Sequence, residues 1–171
     1  MNRLIEKAQK GNDSAFLELF QTYEIEIYRM AYTYVGDKED SLDVVQETAY
    51  KSFKAIQTLQ NPAYFKTWLL KIAINCSLDL LRKRKKKYDF YEDEVIHGNF
   101  AEQLPEAFDL QHCINHLSPD EKSVILLRFY EDLTIKEVAN LLEMPLGTVK
   151  TILYRSLQKL RQQLQGGESF V

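Results

Sequence analysis

Charge is spread so unevenly along this chain that it divides the sequence before any other reading begins. Residues 88–111 hold seven Asp and Glu and no Lys or Arg. Residues 1–87 hold 15 Lys and Arg against 11 Asp and Glu, and residues 112–171 hold seven of each. A stretch carrying charge of one sign repels itself and stays solvated. Two folded blocks joined by a tether are therefore expected, with boundaries at 1–87, 88–107 (the acidic linker) and 108–171. The overall charge of −3 would argue against a nucleic-acid binder, but it averages over a first block of net +4.

Six Gly and four Pro in 171 residues leave few places to break helices, and no strand-like alternation of useful length appears. The expected fold class is all-α. No apolar run approaches the roughly 20 residues that cross a bilayer, and Met1 to Lys10 lacks a signal-peptide core. These features point to a cytoplasmic protein with no direct membrane insertion. Cys76 and Cys113 lack paired spacing, so reduced thiols are expected.

In the first block Phe16, Leu19, Phe20, Tyr23, Ile27, Met30, Ala31 and Tyr34 recur at helical spacing. They predict one amphipathic helix beginning after Asn12 or Asp13 and capped at Gly36. A second helix is predicted from about Lys38 to Thr58, with Leu42, Val45, Ala49, Phe53 and Ile56 as its apolar stripe. Gln57 to Asn61 reads as a loop. Pro62 suits the first turn of a third helix capped by Asn61, whose buried face is Phe65, Leu69, Ile72, Cys76 and Leu80. That helix runs into the basic segment Arg82 to Lys87. Its cations partly complement the helix dipole, and beside Tyr64, Lys66, Trp68 and Lys71 they suit unstacked bases and phosphates. Phe65, by contrast, reads as core.

Near Phe108 a second block starts, and Ser118-Pro-Asp-Glu121 and Thr134-Ile-Lys-Glu137 are capping boxes, each opening a helix. Only Glu143 to Gly147 separates the second of these from a last helix, Thr148 to about Gln163, so a tight turn joins them. Ala139, Leu142 and Val149 are placed to pack the pair, which reads as a helix-turn-helix. Gly147 and Thr148 offer exposed N–H groups suited to phosphate. Lys150, Thr151, Tyr154 and Arg155 project from the outer face, where such side chains reach base edges or phosphates.

His112 and His116, four apart beside Cys113, are the one metal-like cluster, but a structural zinc site needs four ligands and no further pair is present. No phosphate loop, nucleophile elbow or catalytic carboxylate pair can be assembled. The expectation is a protein that is not an enzyme and has no metal, cofactor or small-molecule substrate.

Three ordered segments then carry a family resemblance: Asp43-Val-Val-Gln-Glu47, residues 64–87 (YFKTWLLKIAINCSLDLLRKRKKK) and residues 117–150 (LSPDEKSVILLRFYEDLTIKEVANLLEMPLGTVK). In that order they resemble regions two and four of the extracytoplasmic-function (ECF) sigma factors of the sigma-70 superfamily. The resemblance implies a promoter-specificity subunit of RNA polymerase, serving a stress or envelope response regulon. It implies that Asp43, Gln46 and Glu47 meet core RNA polymerase, where exposed carboxylates suit a basic surface. It implies that the Asn61-Pro62 loop holds a flipped base and that Tyr64, Lys66, Trp68, Lys71, Asn75, Asp79 and Arg82 lie toward the minus-ten element of promoter DNA. Gly147, Thr148, Lys150, Thr151, Tyr154 and Arg155 would read the minus-thirty-five element. The linker would thread toward the RNA exit path, and an anti-sigma factor would be a further partner. Thr151-Ile152 stand where the family usually has Ser-Arg, which removes one common cationic contact, and Glu143 stands where its turn often has Gly. The alternative reading is a stand-alone helix-turn-helix transcriptional regulator, binding duplex DNA without polymerase.

Overall fold

The structure, a computed structural model, describes residues 1–88, 110 and 112–167. The expected linker beyond Tyr88 and the start of the second block at 108–109 lie outside the described residues. The chain divides into two compact units, Met1–Arg82 and Lys83–Val171. All regular structure among the described residues is helical.

The first unit contains α1 (Asn2–Gln9), α2 (Asp13–Gln21), α3 (Glu24–Val35), α4 (Lys38–Ala55) and the start of α5 (Phe65–Tyr88). The caps explain most of these bounds. Asn12 Oδ1 accepts from the N–H of Ala15 at 2.8 Å, and Asp37 Oδ1 from that of Asp40 at 3.0 Å. Gly36 ends α3 with φ of 69°, a conformation that favours glycine.

In the first unit several features differ from the sequence reading. The single helix expected after Asn12 is two, α2 and α3, parted at Thr22-Tyr23. The apolar period continues across that turn, so it buries the same residues that one helix would. Secondly, α1 was not anticipated. It puts Ile5 and Ala8 in the core, and Gln9 Nε2 donates to the carbonyls of Ile56 (3.2 Å) and Leu59 (2.7 Å) where α4 ends. Thirdly, the buried face of α4 is Ser41, Val44, Val45, Thr48 and Ser52, while Leu42 and Phe53 are exposed. The hydroxyls of Ser41, Thr48 and Ser52 donate to the helix's own carbonyls four residues back. So satisfied, these small side chains bury without an orphaned polar group, and α3 packs closely on α4.

The core of this unit gathers Phe16, Leu19, Phe20, Ile27, Val45, Leu59, Phe65, Leu69 and Ala73, joined by Ile5 and Ile56. Phe65 lies 5.7 Å from the ring of Tyr23 and 5.8 Å from that of Trp68. Before α5, Ile56–Thr58 and Pro62–Tyr64 are single 3-10 turns. Asn61 caps the second through Oδ1, which accepts from Ala63 N–H at 3.0 Å.

The second unit is built from α6 (Pro119–Ile125), a π-helical segment Leu126–Tyr130, α7 (Ile135–Leu142) and α8 (Leu146–Gly167). Both expected capping boxes form, Ser118 with Glu121 and Thr134 with Glu137. α6 and α7 both pack on α8, with Val124, Leu127, Val138, Val149, Leu153 and Leu160 buried. The turn after α7 runs through Glu143 in the left-handed conformation (φ 55°, ψ 37°). A non-glycine residue there costs roughly 1–2 kcal/mol, a cost the packing of α7 on α8 offsets.

Candidate nucleic-acid and polymerase interfaces

In the second unit the last helix starts at Leu146 rather than Thr148, because the carbonyl of Pro145 already accepts from Val149 N–H at 3.1 Å. Gly147 and Thr148 therefore lie inside the first turn, where backbone N–H groups have no partner within the helix. Val149, Ile152, Leu153, Ser156 and Leu160 are buried, while Gly147, Thr148, Lys150, Thr151, Tyr154 and Arg155 are all exposed. One side of α8 thus holds the unit together, and the other presents two cations, two threonine hydroxyls and a tyrosine phenol. Ile152, where the sequence resemblance implies an arginine, belongs to the buried side and packs in the core. Thr151 Oγ1 donates to Gly147 O at 2.9 Å. A Cβ built on Gly147 would meet nothing within 4 Å, so the fold itself does not need a glycine there.

Arg155 lies beside a buried carboxylate. Its Nε lies 3.4 Å from Oε1 of Glu121, and Lys159 Nζ lies 2.7 Å from Oε1 and 3.0 Å from Oε2 of the same carboxylate. Ser118 N–H donates to Glu121 Oε2 at 2.9 Å. Burial alone would raise the Glu121 pKa, but the hydrogen bonds from Lys159 and Ser118 outweigh it and hold the carboxyl below the ordinary range. Sequence reasoning found Glu121 only as a cap. Arg155 and Lys159, four apart on one helix face, were the available signal, but nothing local says which acid they meet.

In the first unit Asp43, Gln46 and Glu47 are exposed along α4, and Leu42 and Tyr50, 52% and 54% exposed, flank them. The face therefore combines carboxylates with apolar surface. On α5, Asn75, Asp79 and Arg82 follow one another at helical spacing on one side, with Asn75 and Arg82 exposed. Tyr64 is exposed and Asn61 is engaged as a cap.

A chain of ion pairs joins these two sets. Glu47 meets Lys51 at 3.4 Å, Lys51 meets Asp79 at 3.6 Å, and Asp79 meets Arg82 at 3.2 Å. Lys51, absent from the sequence reading, is thus the bridge between α4 and α5. Lys66 is paired with Glu26 of α3 at 2.7 Å, Lys71 is half-buried, and Trp68 is half-buried against the core. Of the predicted minus-ten set, Trp68 contributes most plainly to packing. Buried Cys76 sits beneath the ion-pair chain, and burial pushes its thiol pKa up, which keeps it protonated and unreactive.

His112 and His116 lie side by side, with ring centroids 4.4 Å apart. Among the described residues no group of three or more metal-ligating side chains comes together, and no helix is long and apolar enough to cross a membrane.

The Sigma-70 region 2 family matches residues 19–87, and the Sigma-70, region 4 family matches residues 107–160. RNA polymerase sigma factor SigV of Bacillus subtilis is 38% identical over 160 residues, covering 92% of this chain and 96% of the relative. ECF RNA polymerase sigma factor SigW of the same organism is 28% identical, covering 96% and 97%. Among solved structures, CnrH in complex with the cytosolic domain of CnrY is similar in fold, with a TM-score of 0.72 at 23% identity, over 96% of this chain and 97% of that one. The sigma factor RpoE from Bartonella quintana has a TM-score of 0.71 at 22% identity, over 88% and 96%. With two matching regions in order and relatives spanned almost end to end, the chain belongs to the sigma-70 family as an ECF sigma factor, a non-enzymatic protein that directs transcription initiation.

Proposed function

We propose that the first unit docks on core RNA polymerase through Asp43, Gln46 and Glu47 of α4, and that the 3-10 turn and α5 engage the minus-ten element. Asn61, Tyr64, Lys66, Lys71, Asn75, Asp79 and Arg82 are the DNA-facing set, with Trp68 supporting them from the core. Residues 88–107 act as the tether. The unit at 108–171 reads the minus-thirty-five element with Gly147, Thr148, Lys150, Thr151, Tyr154 and Arg155. The observation that carries this reading is α8, whose six named residues are all exposed while its opposite side is buried. A cytoplasmic location and a stress or envelope response regulon belong to the same proposal. So does an anti-sigma partner: the similar RpoE was solved with the anti-sigma factor NepR.

Gly147→Ala separates interface from fold. The added methyl has open space, and alanine is a better helix former than glycine by up to about 1 kcal/mol, so the melting temperature should hold or rise. A methyl at the first turn of α8 should push back a phosphate held by its N–H groups. Promoter binding by the polymerase-bound protein should weaken about tenfold, and the salt slope should fall by about one. Unchanged affinity and slope would remove Gly147 from the interface.

A further inference from the structure

Glu121 lies outside the residues proposed to touch DNA, yet two cations of the recognition helix converge on it. Its side chain is 2% exposed, whereas that of Arg155 is 60% exposed. A buried carboxylate that takes both Lys159 oxygen contacts and the Ser118 N–H is fixed in place. Arg155 reaches it through Nε, the nitrogen next to the aliphatic stem. The terminal nitrogens are the ones that pair in parallel with base or phosphate oxygens, and this contact does not use them.

We propose that Glu121 is a positioning residue for promoter discrimination, restraining Arg155 to one geometry so that its outer nitrogens meet the minus-thirty-five element already oriented. The inference rests on the proposed DNA role of α8. A long, exposed arginine loses rotamer freedom when it binds, and prior restraint removes part of that loss for the matching sequence. Glu121 also withdraws positive charge from the helix, which lowers attraction to DNA of any sequence. The charge effect is common to all sequences and cancels in a ratio, whereas the restraint favours the matching promoter alone, so what Glu121 sets through Arg155 is the ratio of specific to non-specific binding.

The test uses the full chain bound to core RNA polymerase, with one duplex selected from genomic fragments by run-off transcription and one scrambled duplex of equal length. Glu121→Gln keeps an acceptor for Ser118 N–H and removes the charge. The specific-to-scrambled ratio should fall about three- to tenfold, the size of one restrained long side chain, while affinity for the scrambled duplex holds or rises. Partial unfolding lowers both affinities alike and leaves the ratio unmoved, so the readout is separate from a loss of structure. In an Arg155→Ala background the same change should have no further effect on the ratio. Should Glu121→Gln not fold, Glu121→Asp, which keeps the charge but draws it back from Arg155, must lower the ratio. A ratio unaltered by Glu121→Gln while Arg155→Ala lowers it would overturn the inference and leave the DNA role of α8 intact. A ratio unaltered by Arg155→Ala would overturn both the role of Arg155 and the inference built on it.

Discussion

Reversing the charge of Lys150 and Arg155 together should reduce promoter-specific transcription at least about 100-fold while the protein stays folded and bound to core RNA polymerase. Both side chains are exposed on α8. A good base contact is worth roughly 1–3 kcal/mol, so losing two removes roughly 2–6 kcal/mol before the repulsion of two new carboxylates from phosphate is added. At about 1.4 kcal/mol per factor of ten, even the middle of that range exceeds 100-fold. Folding should survive because Lys159, 2.7 Å from Glu121, still balances the buried carboxylate after Arg155 is reversed. Run-off transcription measures the loss, and co-purification with core polymerase shows that the first unit still works. Transcription within a few-fold of the unmodified protein would remove α8 from promoter recognition.

The second large effect concerns the platform beneath the minus-ten surface. Phe65→Ala should cost the first unit about 3–5 kcal/mol, the range for emptying a buried aromatic site. Phe65 is 1% exposed and stands between Tyr23 and Trp68 at the foot of α5. A domain has only about 5–15 kcal/mol of stability to lose, so this unit should be close to unfolding at physiological temperature. The chain has one tryptophan, Trp68, and it lies in the same core, so its fluorescence in urea follows the first unit while circular dichroism follows both. The fluorescence midpoint should drop sharply and the circular dichroism trace should split into two steps. A shift under about 1 kcal/mol would mean that Phe65 is not the packing centre of the unit.

What could be read from the residues was mostly what is local. Asn12, Ser118 and Thr134 cap the helices expected of them, and Asn61 caps the 3-10 turn that leads into α5 rather than α5 itself, because a cap is decided within three or four residues. Gly36 and the helix-turn-helix follow for the same reason. The last helix began two residues earlier than expected because Pro145, taken as turn, supplies its first carbonyl. The break at Thr22-Tyr23 has no glycine or proline to announce it, and the apolar period runs on through it. The apolar pattern points α4 toward Leu42 and Phe53, whereas Ser41, Thr48 and Ser52 bury instead because their hydroxyls are satisfied by carbonyls four residues back. At the proposed sites, exposure of the α8 set was legible from the 3.6-residue period. The partners were not: Lys51 with Asp79, Lys66 with Glu26 and Arg155 with Glu121 are each far apart in sequence. Only packing of one helix on another brings them together.

The most direct measurement is capture of core RNA polymerase by the purified full chain, followed by run-off transcription from genomic fragments. The protein should bind core polymerase, and transcripts should start at defined positions only when the two are combined. Variants with Asp43 and Glu47 changed to lysine should lose the capture. A chain that ignores core polymerase, yet grips duplex DNA as a dimer on two half-sites, would contradict the account.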